Sequence, residues 1–329
     1  MRRILSVTGL LLVLATILLM GQAPQPPLTQ EEVRDLIKNN IKKSPDQIAS
    51  TLAERTVDFD LNRDIEKKMR KAGATDDVLQ AIWKAGPTYR NAKSSLLTSP
   101  TGTRIQATYE EAMGFQTIQD ELDPDRTIRM VTEFEKRFPN SQCLSYVYTQ
   151  AARAYQQKGD LDKNVEYGEK SLKLDPDNTF ALVIVALALP QPKELQGSPE
   201  EVRKRLSEAE TDANRALALL DKLSKRPNET DEQFQQRKGA IAADAHFALG
   251  AVQMQHDDYQ KAVTEYKSAI SSTTKPTFQY YYRLGEAYAS QGQIVQAIEV
   301  LHKASDVARG TPMQQYADDF IAELQKNAH

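Results

Sequence analysis

Four histidines (His246, His256, His302 and His329) and one cysteine, Cys143, are the side chains with which this 329-residue chain could hold zinc or run a proton relay. Zinc sites set such ligands a few residues apart, as in Cys-x-x-Cys or His-x-x-x-His. Neither spacing occurs here. A lone cysteine cannot form an internal disulfide, so it neither supports nor excludes an oxidising compartment. Phosphoryl transfer calls for a glycine-rich phosphate loop, and many hydrolases for a Gly-x-Ser-x-Gly elbow. The chain has neither. Asp60, Asp76 and Asp77 read as residues at helix starts, where a carboxylate complements the exposed amide dipoles. The sequence therefore predicts no enzyme, no catalytic residue, no metal and no cofactor. A net charge of −3, with no basic face, also argues against nucleic acid as a partner.

As for the elements that would position any such residues, 40% apolar and 26% charged residues are ordinary for a globular chain. Ala, Leu, Glu, Lys and Gln dominate, which favours an all-α fold. The stretch Phe278 to Gly310 shows the pattern best. Tyr281, Leu284 and Tyr288 recur at helical spacing around Gly285, and a polar break near Gly292 is followed by Ala297, Ile298, Leu301 and Ala304. Two antiparallel helices with a tight turn fit this spacing, with Gly285 and Ala297 letting the backbones approach. On these residues the stretch resembles a tetratricopeptide repeat, departing only at Arg309, where the family has its closing proline. The resemblance implies a right-handed superhelical solenoid of helical hairpins that acts by binding a protein partner.

Further units fit the same signature. A degenerate hairpin spans about 107–140, and a clearer one spans 145–178 with Tyr148, Ala151, Ala152, Tyr155 and Gly159. It carries Asn164 and Gly168 where the family favours alanine and an aromatic, so this hairpin is expected to be the looser one, a mid-helix glycine costing about 1 kcal/mol. A third unit starts one 34-residue period later and covers 179–227 with two insertions, which either shape the binding face or lengthen the helices. The fourth, 243–276, pivots on Gly250, 35 residues before Gly285. Over 312–327, Thr311 to Gln314 read as a capping box, and Met313, Tyr316, Ala317, Phe320, Ile321 and Leu324 read as the buried face of a helix that closes the stack.

Ahead of the repeats, Arg2 and Arg3 precede an apolar run from Ile4 to Met20, so residues 1–23 read as an export signal or a membrane anchor. The body is then expected outside the cytoplasmic membrane, either anchored or released. Residues 28–86 read as a duplicated helical hairpin: Val33, Ile37, Ser44, Ile48 and Leu52 recur as Ile65, Met69, Thr75, Leu79 and Trp83, 31 or 32 residues later. This part resembles a small module found at the ends of bacterial repeat proteins. Trp83 is expected to anchor its core. Residues 87–105, rich in Pro, Ser, Thr and Gly, read as a flexible linker to a repeat domain at 106–329.

In the family, the first helix of each hairpin lines the concave surface. Carried onto this chain, the resemblance implies a groove that includes Tyr146, Thr149, Arg153, Phe180, Val183, Leu187, Phe247, Met254, Tyr282 and Glu286. Its apolar middle suits a partner segment with apolar anchors, unless the insertions cover it and these residues are core. His246 falls at a position the family keeps apolar and is expected in the core. The function expected is a non-enzymatic interaction scaffold. The alternative is an accessory subunit permanently docked in an envelope assembly or transport complex.

Overall fold

The computed structural model describes residues 26–40, 45–91, 97–98, 104–105, 107–225 and 229–327. The chain divides between Ser94 and Ser95 into two compact units. The expected signal or anchor at residues 1–23 lies outside the described residues. Among those described, no helix is long and apolar enough to cross a membrane.

The first unit contains α1 (Gln30–Asn39), α2 (Pro45–Arg55), α3 (Arg63–Lys71), α4 (Asp76–Ala85) and α5 (Pro87–Asn91). Thr29 and Glu32 form the expected capping box, and Asn62 and Thr75 cap α3 and α4, satisfying N–H groups that have no partner within the helix. Ser44, the counterpart of Thr75 in the duplicated hairpin, lies outside the described residues. Val33, Ile37, Ile48 and Leu52 are buried, as are their counterparts Ile65, Met69 and Leu79. The last pair breaks the rule. Ile82, not Trp83, takes the fully buried place, and Trp83 is half-buried with its ring 5.6 Å from that of Tyr89. Between closely packed short helices an isoleucine fits the gap and the larger indole is left at the rim.

The expected flexible linker, 87–105, is ordered at both ends. Pro87 starts α5, the first helical position suiting its fixed φ and missing N–H, and Arg90 donates to the Val57 carbonyl at 3.0 Å. In the second unit, β1 (Leu97–Thr98) pairs antiparallel with β2 (Arg104–Ile105), and Ile105 is buried in the core of the first hairpin.

The second unit stacks five hairpins: α6 (Tyr109–Asp120) with α7 (Pro124–Arg137), α8 (Leu144–Gln157) with α9 (Leu161–Leu174), α10 (Thr179–Ala188) with α11 (Pro199–Leu219), α12 (Asp231–Gln255) with α13 (Tyr259–Ser272), and α14 (Phe278–Ser290) with α15 (Ile294–Val307). A last helix, α16 (Pro312–Asn327), packs on α15 and α14. Gly285 and Gly250 are there for close approach: a Cβ would lie 2.7 Å from Leu301 at the first and 2.5 Å from the Tyr266 ring at the second. Gly292 turns the chain at φ +74°, a conformation that favours glycine.

The hairpin expected to be loose is not. A Cβ on Gly168 would meet Val185 at 2.5 Å, so the glycine lets α9 approach α10 of the next hairpin. Asn164, fully buried, donates to the Ala152 carbonyl at 2.8 Å and so ties α9 to α8. The second insertion is helical from Asp231 on, lengthening α12 at its start, while a 3-10 turn at Leu220–Lys222 continues α11; Leu219, Leu223 and Ile241 join Leu182 and Val183 in one core. As a result α10, TFALVIVALA, is buried nearly all round.

The end of the stack departs from expectation in two ways. Thr311 does not form a capping box with Gln314. Its hydroxyl donates back to the Ala308 carbonyl at 2.7 Å, and Gln314 accepts from the Gly310 N–H at 2.9 Å. Ala317, Ile321 and Leu324 are buried, but Met313 and Tyr316 remain 44% and 65% exposed.

Candidate partner-binding site

Three consecutive first helices, α6, α8 and α10, enclose a cavity of about 270 Å³ lined by Gln119 and Asp120, by Tyr146, Thr149, Gln150 and Arg153, and by Asn178 and Phe180. Four of the ten groove residues expected from the sequence meet here, together with four polar residues that the sequence reading missed. The lining is polar rather than apolar.

Its floor is a knot of hydroxyls around Asn178. The Asn178 amide lies 3.0 Å from each of the Ser145, Thr149 and Ser171 hydroxyl oxygens, while its own oxygen accepts from the Ala181 N–H at 3.3 Å, capping α10. Thr149 in turn donates to the Ser145 carbonyl, and Ser145 to the Ser171 carbonyl. All four side chains are buried, and the knot joins α8, α9 and α10. Beside it, the Tyr146 hydroxyl donates to Asp175. Tyr146 and Thr149 thus line the cavity with side chains that are buried and bonded within the fold, and Val183 is buried in the core. Around Val183, α10 is packed against α8, α9, α11 and α12.

Arg153 is different. It is exposed at the rim, and among the described residues it makes no hydrogen bond or ion pair. Its charge reaches Asp244 of α12, which accepts from the Tyr280 hydroxyl of α14 at 2.5 Å. Burial raises the Asp244 pKa above the usual carboxylate range, while the Tyr280 bond and Arg153 pull it back.

The remaining expected residues are half-buried. Phe180 and Leu187 lean on the α10–α12 core, and Phe247, Met254 and Tyr282 on the core of the last two hairpins. Phe247 stands 5.4 Å from the Tyr266 ring and 5.2 Å from that of Tyr280, and Glu286 pairs with Arg283 at 2.7 Å. His246 is half-buried rather than a core residue. Its Nδ1 lies 2.7 Å from Glu265 of the partner helix in its hairpin, a polar contact that explains why this normally apolar position tolerates it. Among the described residues, no three His, Cys, Asp or Glu side chains gather to hold a metal ion.

On the second helices, Asp212 of α11 lies between Glu208 and Glu169. Burial first, and these two carboxylates with it, push its pKa up to about 7, against the pull of Arg215. The folded chain thus keeps a proton that the unfolded chain releases near pH 4, so the stability this proton confers is complete below about pH 4 and lost as pH rises to about 7. Asp212→Asn should melt with the unaltered protein at about pH 4 and above it at about pH 8. Parallel melting curves across that range would contradict the assignment.

A family model described as a tetratricopeptide repeat matches residues 145–178 and 278–310, the second and fifth hairpins. The chain carries tetratricopeptide repeats. Over 134 residues it is 31% identical to Superkiller protein 3 of Schizosaccharomyces pombe, a match covering 41% of this chain and 9% of that much longer relative. It is also similar to the crystal structure of a thermophilic TPR protein of Thermus thermophilus, at 16% identity over 65% of this chain and 98% of that one, with a TM-score of 0.46. Yeast Tom70 shows 14% identity over 91% of this chain and 60% of its own, with a TM-score of 0.33.

Proposed function

We propose that this chain is a non-enzymatic scaffold that grips a partner protein segment on its first-helix side and is held outside the cytoplasmic membrane by its amino-terminal segment. Tetratricopeptide-repeat proteins generally mediate protein–protein interactions, presenting extended surfaces built from successive repeats. The observation that carries the reading here is the cavity between α6, α8 and α10, in which residues from three hairpins converge under an unengaged Arg153. A side chain or terminus of the partner bearing hydrogen-bond acceptors would meet Arg153 and the Gln119 and Gln150 amides at its mouth. Export is supported by the arginine pair and apolar run of residues 2–20.

Reversing the charge at the rim tests the binding reading. Because Arg153 is exposed and makes no hydrogen bond in the fold, Arg153→Glu should leave the chain folded, its melting temperature lowered only by the lost attraction to Asp244, while reducing recovery of the co-purifying partner about tenfold. Undiminished recovery would overturn it.

A further inference from the structure

The positions at which the stack ends carry more than a cap. Phe247 on α12, Tyr282 on α14 and Tyr316 on α16 follow one another at intervals of 35 and 34 residues, so one aromatic stands at the same place on each of three successive first helices. The rings are tied together along the way. Tyr282 lies 5.2 Å from Phe278 and 5.9 Å from Phe320, and Tyr316 sits one helical turn before Phe320 on the same face of α16. Met313, three residues before Tyr316, extends the stripe.

This stripe is left open. At the place held by Gly250 and Gly285 in the two preceding units, α16 has Asp319, 34 residues after Gly285. It is exposed and hydrogen-bonded to Gln315 at 2.7 Å, a charged side chain where the two glycines let a helix approach. Tyr316 and Met313 consequently keep 65% and 44% of their surface, where a buried cap would have hidden them. Phe247 and Tyr282 are half-buried and keep part of each ring accessible, and with the exposed Tyr316 and Met313 they form an apolar strip that suits a partner.

Charge narrows the choice of that partner. The charged residues of α16 are Asp318, Asp319, Glu323 and Lys326, three acids against one base. Glu286 is already neutralised by Arg283, but Glu323 is exposed and, among the described residues, has no ion pair. It lies close enough to Tyr282 for its carboxylate, after burial and Glu286, to help raise that phenol's pKa. Aromatic faces attract ammonium and guanidinium groups, and long basic side chains lay their apolar stems along such faces while the charged head stays in water.

We propose that the Phe247–Tyr282–Tyr316 row docks a basic partner segment, whose Lys or Arg stems lie on these rings and whose charged heads meet Glu323. This rests on the reading of the first-helix side as the binding face and names the partner chemistry at its carboxy-terminal end.

Fluorescence anisotropy of the full chain with a short labelled peptide of arginine, leucine and glycine, set against the same peptide with glutamate for arginine, tests it. The arginine peptide should bind at least about tenfold more tightly than its glutamate counterpart. Tyr316→Ala should weaken it about tenfold with the melting temperature unchanged. Glu323→Gln should weaken it about threefold and flatten its salt dependence. Equal binding of the two peptides would overturn the basic assignment. Binding indifferent to Tyr316→Ala would overturn the docking row itself. If Tyr316→Ala is silent while Arg153→Glu still abolishes partner recovery, the row falls and the proposed function stands. Silence of both variants removes both.

Discussion

Asn178→Ala should lower the unfolding free energy of the repeat unit by about 2 to 4 kcal/mol. The loss has two parts. Removing the cap of α10 costs about 1 kcal/mol, and removing the amide takes a donor from each of the buried Ser145, Thr149 and Ser171 hydroxyls, which keep only their bonds to one another and to the Ser145 and Ser171 carbonyls, at about 1 to 3 kcal/mol. Ser171→Ala deletes one hydroxyl and leaves the amide two acceptors, so it should cost less than half as much. Urea unfolding followed by far-ultraviolet circular dichroism is the suitable measurement, since the single tryptophan, Trp83, reports on the other unit. If Asn178→Ala cost under about 1 kcal/mol, the knot would not be what holds α8, α9 and α10 together.

The second large effect is expected at Gly250. A Cβ there would stand 2.5 Å from the ring of Tyr266, which is 1% exposed and has nowhere to move. Gly250→Val should therefore destabilise by about 3 kcal/mol, at the severe end of overpacking. Gly292→Ala is the comparison: it sits in open space at φ +74°, and only the left-handed backbone penalty of about 1 to 2 kcal/mol applies. Thermal melts in which Gly250→Val lost no more than Gly292→Ala would show that the α12–α13 approach is looser than the structure has it.

What the sequence discloses and what it hides follow from the range of each interaction. The pivot glycines and their 35-residue interval are local and periodic, so the hairpins at 243–276 and 278–310 can be read directly. Gly168 cannot, because its reason is Val185 on the next hairpin. The groove residues divide along the same line. Tyr146, Thr149, Arg153 and Phe180 line the cavity, the first two with side chains that are themselves buried, while Val183 is packed into the core of α10 and α12. Gln119, Gln150 and Asn178 escaped notice since polar residues on an amphipathic helix look alike until their neighbours are known. At α16 the apolar stripe is wider than the surface available to bury it, and only Asp319 at the pivot place hints that Met313 and Tyr316 stay outside. Linker composition is silent in a different way: it cannot show that Arg90 donates to the Val57 carbonyl or that Ile105 is buried in the first hairpin.

The central claim is that a partner lies on the first-helix side and outside the cytoplasm. A photo-activatable cross-linking amino acid placed in living cells at Gln150, in the cavity wall, and at Lys303, exposed on the second helix α15, tests it most directly. An adduct is expected from position 150 with a protein that is itself exported, and none from position 303. An adduct from position 303 with none from position 150, or one with a cytoplasmic protein, would contradict it.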